Sequence, residues 1–152
     1  MPLKILAVGK KHAPWVEIAV SDYQKRLRAP FTLEWEIIPH SHHEGALARQ
    51  DESKRILAHI KPSDIVVLLD ERGQQLTSPE LSDYLSSRLD TSASLVFVIG
   101  GAYGVDDTVF SRAQKIWSLS KLVFPHQLVR VILVEQLYRA QQIRIGSHYH
   151  HE

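Results

Sequence analysis

The stretch "SLVFVIGGAYGVDD", Ser94 to Asp107, decides the fold. Its apolar run ends in a turn that packs Gly100, Gly101 and Gly104, three of the chain's seven glycines, into five positions. A short continuous apolar run closed by a turn signal reads as a strand buried on both faces. The acidic pair Asp106-Asp107 behind the turn suits the start of a helix, predicted over 105–114. A strand that enters such a turn has something lying against its backbone: a ligand, or only the next helix.

The same grammar repeats outward in both directions. "LKILAVG" (3–9) and "IVVLLD" (65–70) are further buried strands, and "FTLEWEII" (31–38) alternates apolar with polar as a strand does. Between them, 13–28 and 46–60 have helical spacing. "ERGQQL" (71–76) reads as a turn, and the next helix starts with Ser78 as N-cap and Pro79 at its first position. A short extended piece covers "IWSLSKLVF" (116–124), and a long helix runs from Pro125 to about Ile145. Residues 128–134 of that helix are apolar nearly all round, so one face needs a cover besides the home core. A homodimer is the commonest solution. Strands alternating with helices give an α/β fold: a mostly parallel sheet with helices on both faces, in one domain over 1–152.

Composition narrows the function classes. The chain has 152 residues, 44% of them hydrophobic, enough for one sizeable core. No apolar run approaches the roughly 18 residues that a membrane span needs, and the start of the chain lacks a signal-peptide pattern. With no cysteine, disulfides and thiolate metal sites are excluded, and a reducing cytoplasm suits the chain. A net charge of +1 is no broad basic footprint, so an RNA role needs local patches such as Arg130, Arg139 and Arg144.

Ligands of such sheets sit outside the carboxyl ends of the strands, here Leu69-Asp70, Ile99-Gly101 and 119–124. "GGAYG" is not G-x-G-x-x-G, and no G-x-x-x-x-G-K-[ST] occurs, so the dinucleotide and triphosphate fingerprints are both missing. What remains is a glycine-lined concavity that binds a polar edge through main-chain groups. His126 beside Pro125 reads as a helix-start polar group, a base or a surface imidazole. His40, His42 and His43 in one loop and His148, His150 and His151 in the tail raise a metal question, but the spacing of a zinc helix is missing and no metal is expected. Tyr149 among imidazoles suits stacking on a base with proton transfer near neutral pH.

The segments "KILAVGK", "VFVIGGAYG", "SLSKLVFPHQLVRVILVEQLYRA" and "HYHHE" resemble, in order and along the whole chain, the ribosomal RNA large-subunit methyltransferase H family of the SPOUT methyltransferase superfamily. The resemblance implies S-adenosylmethionine-dependent, metal-independent methylation of N3 of a pseudouridine in 23S ribosomal RNA of assembled ribosomes, by a homodimer. It also implies a C-terminal trefoil knot, which periodicity cannot reveal. It assigns the methyl donor to Leu69, Gly100 and the run Leu119, Ser120, Lys121, Leu122, Val123 and Phe124, the same three strand ends. Tyr149 and His150 match the family's target-side tail, and His151 stands where some relatives carry Arg. On this reading His150, then His151, is the expected proton acceptor, and Arg130, Arg139 and Arg144 are the expected phosphate contacts. The rival is a non-catalytic ribosome-associated dimer that binds a nucleoside-like ligand.

Overall fold

The structure is a computed structural model that describes residues 2–151. In chain order the elements are β1 (Leu3–Val8), α1 (Pro14–Gln24), β2 (Leu33–Ile38), α2 (Gly45–Ala58), β3 (Ile65–Gln75), α3 (Ser78–Leu89), β4 (Leu95–Ile99), α4 (Asp107–Arg112), β5 (Lys115–Ser118) and α5 (His126–Arg144). The strands form one parallel sheet in the order β2-β1-β4-β3-β5. β4 lies between β1 and β3, with Phe97 beside both Ile5 and Val67, and all five of its residues are buried. That central placement explains why its sequence is an uninterrupted apolar run.

Alternate strand residues build two cores. Ile5, Val67 and Phe97 face α1, α3 and α5, whereas Leu6, Leu68, Val96 and Val98 face α2 and α4. The sheet is therefore covered on both faces, as the alternation of strands and helices predicts.

Three expectations are corrected. "ERGQQ" is no simple turn: β3 continues through it to Gln75 by shifting register between Leu69 and Gln74, which pairs with Trp117. Gly73 permits this, because a Cβ there would lie 2.5 Å from the Ile116 carbonyl oxygen. The N-cap of α3 is Thr77, not Ser78: its hydroxyl accepts from the Glu80 N–H while Glu80 accepts from the Thr77 N–H, a reciprocal pair open only to that spacing. α4 is shorter than 105–114 because Asp106 caps it, accepting from the N–H groups of Thr108 and Val109.

α5 runs the length predicted. Leu133, Val134, Leu137 and Ala140 pack into the core against α1 and α3, while Leu128, Val131 and Ile132 stay half-buried. Arg130 falls on the buried side of the helix, so the apolar start is interrupted by a cation.

Candidate active site

A cavity of about 710 Å³ opens at the carboxyl ends of β3, β4 and β5. Its walls come from the β3 bulge (Leu69, Asp70), from 99–107 after β4, and from Leu119, Ser120, Leu122, Val123 and Phe124 between β5 and α5. His126 and Val129 of α5 close one side. Seven of the eight residues expected to hold the methyl donor thus meet in one concavity; Lys121 alone stays off the wall, exposed.

The shape follows from the glycine turn. The Gly104 N–H donates to the Gly101 carbonyl at 3.0 Å, with Gly104 in the left-handed region at φ 75°. A Cβ on Gly100 would lie 3.0 Å from Val105 Cγ1, and one on Gly101 would lie 2.4 Å from Glu52 Oε1. Both positions therefore present bare backbone. Arg49 Nε holds the turn's tip by donating to the Tyr103 carbonyl at 3.0 Å. Across the cavity Ser118 Oγ donates to the Ser120 carbonyl and the Leu122 N–H donates to Ser120 Oγ, which folds 118–122 into a tight bend.

Asp70, Glu71, Asp106 and Asp107 line the rim together with Arg49 and Arg72, and Arg72 pairs with Asp70 at 2.9 Å. Burial pushes the Asp70 carboxyl up, but hydrogen bonds from Arg72 outweigh it and hold the group below its ordinary value. At Asp106, too, burial is outweighed by donors, led by Thr108 and Val109. A main-chain-lined cavity with more carboxylates than arginines at its rim suits a ligand with a hydrogen-bonding heterocycle.

A second cavity of about 350 Å³ adjoins the first and shares Gly101, Ala102, Tyr103 and His126 with it. It is lined further by Gly9, Lys10, His40, His43, Glu52 and Arg130. Arg130 is 1% exposed; its Nη1 donates to His12 Nδ1 at 3.1 Å, and its Nε has no hydrogen-bond partner among the described residues. His12 and His126 are both held below their ordinary pKa, first by burial and then by the Arg130 charge. The sequence reading missed Glu52, Gly9 and His12. The Gly at the end of β1 and the "HSHH" loop were the available signals, and neither specifies a cavity without the fold.

The tail does not fray. Tyr149 donates its hydroxyl proton to Glu135 Oε2 at 2.9 Å and packs edge-on against Tyr138. Arg139 donates to Glu135 and, through Nη1, to His150 Nδ1 at 3.0 Å. A guanidinium only donates, so Nδ1 is the acceptor and the neutral ring carries its hydrogen on Nε2. Burial, then Glu135, push the Tyr149 hydroxyl above its ordinary pKa. Val129 walls the first cavity and Arg139 holds the tail, ten positions apart on α5, so about 15 Å of helix separates them within one chain.

The three arginines expected to contact phosphate each have other company here. Arg130 is buried, Arg139 is engaged by Glu135 and His150, and Arg144 pairs with Asp90 Oδ1 at 2.7 Å.

A family model described as "Predicted SPOUT methyltransferase" matches residues 1–150. The chain is 44% identical to the ribosomal RNA large subunit methyltransferase H of Thiobacillus denitrificans, over the full length of both chains. It is 44% identical to the protein of that name from Geobacter metallireducens, covering 99% of each chain, and 38% identical to the one from Bacteroides thetaiotaomicron, covering 100% of each.

Proposed function

This chain belongs to the SPOUT methyltransferase family, and we infer from that premise that it is a methyltransferase of large-subunit ribosomal RNA. The finer reading is methylation of N3 of a pseudouridine in 23S ribosomal RNA within assembled ribosomes, with S-adenosylmethionine as donor. The observation that carries it is the convergence of the bare turn Gly100–Gly101, the β3 bulge at Leu69 and the bend 119–124 on one cavity, in a chain matched end to end by ribosomal RNA methyltransferases.

The residues present fit that donor. Main-chain groups of 99–104 and 119–124 suit the adenine edge, and Glu71 and Asp107 give the rim more carboxylates than arginines, which suits a cationic donor. When bound, S-adenosylmethionine supplies a methyl whose C–S electron pair returns to sulfur as the new N–C bond forms. What the chain adds is mainly position, which contributes roughly 7–11 kcal/mol to such a displacement. The proton on the acceptor nitrogen passes to a tail imidazole, His150 once released from Arg139, or the exposed His151.

The tail's separation from the donor cavity supports a site shared between two subunits. The cover for the second chain is apolar: Trp15 and Ile18 are exposed on α1, Leu122 and Val123 are 70% and 81% exposed before α5, and Leu128, Val131 and Ile132 are half-buried. α1 and α5 begin side by side, since the Ala13 N–H donates to Gln127 Oε1 at 3.0 Å. Within this reading 119–145 forms the threaded part of a trefoil knot, supported by its passage beside 100–105 at the cavity. Among the described residues no helix is long and apolar enough to cross a membrane. A ribosomal substrate places the enzyme in the cytoplasm.

Incubation with methyl-labelled S-adenosylmethionine and ribosomes lacking the modification tests this. Label is expected in one 23S nucleoside that co-migrates with N3-methylpseudouridine; label absent from RNA, with donor bound, would leave the non-catalytic dimer standing.

A further inference from the structure

The second cavity contains a buried cation with no ion-paired carboxylate among the described residues. Burying a guanidinium costs several kcal/mol unless an anion or a full set of acceptors compensates. Among the described residues no carboxylate forms an ion pair with Arg130, its Nε is unpaired, and its one recorded hydrogen bond goes to an imidazole. Glu52, 3% exposed, lines the same cavity but forms no ion pair with Arg130: its Oε2 accepts from the Ser41 N–H at 2.9 Å, and its Oε1, under Gly101, has no hydrogen-bond partner among the described residues. Apart from Glu52, the titratable groups around Arg130 in this space are basic or neutral. His12 and His126 are kept uncharged by burial and by Arg130 itself, and Lys10, His40 and His43 line the same space. The unpaired Nε of a buried guanidinium in this cavity suits a ligand that brings an acceptor oxygen on which negative charge can gather.

The position narrows the ligand. The cavity shares Gly101–Tyr103 and His126 with the donor cavity, so an occupant lies beside the place where the methyl arrives. At 350 Å³ it holds a nucleobase with its ribose and is oversized for one carboxylate. A phosphodiester of a large RNA stays at the surface, where the exposed Lys10 at the rim meets it. A 1%-exposed guanidinium instead meets only a group inserted from outside, as a base flipped out of its stack is.

Resting on the methylation reaction proposed above, we propose that this second cavity is the acceptor-base subsite, and that Arg130 donates to a carbonyl oxygen of a pyrimidine imide and stabilises its ionised form. In a pyrimidine imide the reacting N–H stands between two carbonyls. When the proton passes to the tail imidazole, the electron pair left on nitrogen spreads onto both oxygens. A fixed cation at one of them lowers the cost of that charge before the nitrogen attacks the methyl, by the logic of an oxyanion hole. Arg130 thereby gains the anion that the free protein does not supply, and the charge it stabilises is the one that develops during reaction. Arginine suits this role better than histidine because its charge does not titrate.

The test is single-turnover methyl transfer to unmodified ribosomes across pH, with donor affinity measured separately by titration on the same full-length variants. Arg130→Met is expected to slow transfer at neutral pH by ~10²–10³-fold and to move the pH at which the rate half-rises upward by about one unit. Donor affinity should stay within about threefold. Arg130→Lys should recover part of both the rate and the pH position. In case the buried substitution unfolds the chain, His43→Trp serves as a second variant: His43 is exposed, lines this cavity and does not line the donor cavity. It should abolish transfer and spare donor binding. A tenfold loss of donor affinity in Arg130→Lys would assign the arginine to the donor instead. A raised half-saturating ribosome concentration, with unchanged saturated rate and pH profile, would make it a phosphate contact. Full-rate transfer by His43→Trp would also overturn the assignment. If wild-type protein labels no RNA at all, it is the methyltransferase reading that fails, and that control is read first.

Discussion

Arg130 and Arg139 leave the same helix nine positions apart and meet opposite surroundings. Nine residues are about two and a half turns, so the side chains point to opposite faces of α5. Arg139 faces a closed network: Glu135 accepts its hydrogen bonds, His150 accepts another, and the Tyr149 ring lies 4.8 Å from its guanidinium. Arg130 faces a cavity, two neutral imidazoles and no ion-paired carboxylate among the described residues. A balanced cation builds structure, here by holding the tail in one place. A buried one with an unpaired Nε keeps a donor open toward the cavity.

The contrast breaks most visibly in turnover at the tail end. His150→Ala is expected to lower methyl transfer by ~10²–10⁴-fold while leaving donor affinity intact, because within one chain the tail lies far from the donor cavity. Equal loss of donor affinity, seen by titration, would show that the tail touches the donor itself and does not act on the acceptor alone. A full rate would remove His150 from the reaction.

At the cavity end the largest stability effect belongs to Gly101. Its Cβ in Gly101→Ala would lie 2.4 Å from Glu52 Oε1 and 3.1 Å from Val8 Cγ1, and Glu52 is tethered through Ser41. Overpacking of that kind costs ~1–3 kcal/mol, which lowers the melting temperature by a few degrees to about ten. The thermal shift produced by S-adenosylmethionine should shrink with it. An unchanged melting point would mean that Glu52 has room to withdraw.

The smallest effect sharpens the comparison by pH. His12 and His126 have lowered folded-state pKa values, so the unfolded chain binds protons more readily as pH falls through about 6.5. Stability from the cavity end is present above that range and lost toward acid. Tyr149 has a raised folded-state pKa, so the unfolded chain loses its proton first as pH rises above about 10. Stability from the tail end is present below that range and lost toward alkali. Denaturant titrations should therefore show His126→Gln blunting the acid limb alone and Tyr149→Phe the alkaline limb alone. Both variants changing the same limb would contradict the separation.

Several features were legible because they depend on neighbours in sequence. The β4 run and its glycine turn declare a buried strand and a bare backbone edge, and the strand-end rule then locates the first cavity from Leu69, Gly100 and 119–124. The β3 extension was not legible, since "ERGQQ" has turn composition and becomes a strand only where β5 supplies a pairing edge. Arg139 and Glu135 are four apart on one helix, a pairing the sequence offers directly. Arg130 looks in sequence like any surface arginine.

The sequence by itself determined the layered α/β architecture, the absence of triphosphate and dinucleotide fingerprints, and the strand ends that wall the first cavity, because periodicity and turn chemistry act over a few residues. Only the tertiary structure decided which arginine is buried, which imidazoles lose their charge, and that a second cavity adjoins the first. Those depend on His12, Glu52 and Arg130, far apart in the chain, meeting around the ends of β1 and β4. Burial and charge balance are properties of that meeting and have no local signature.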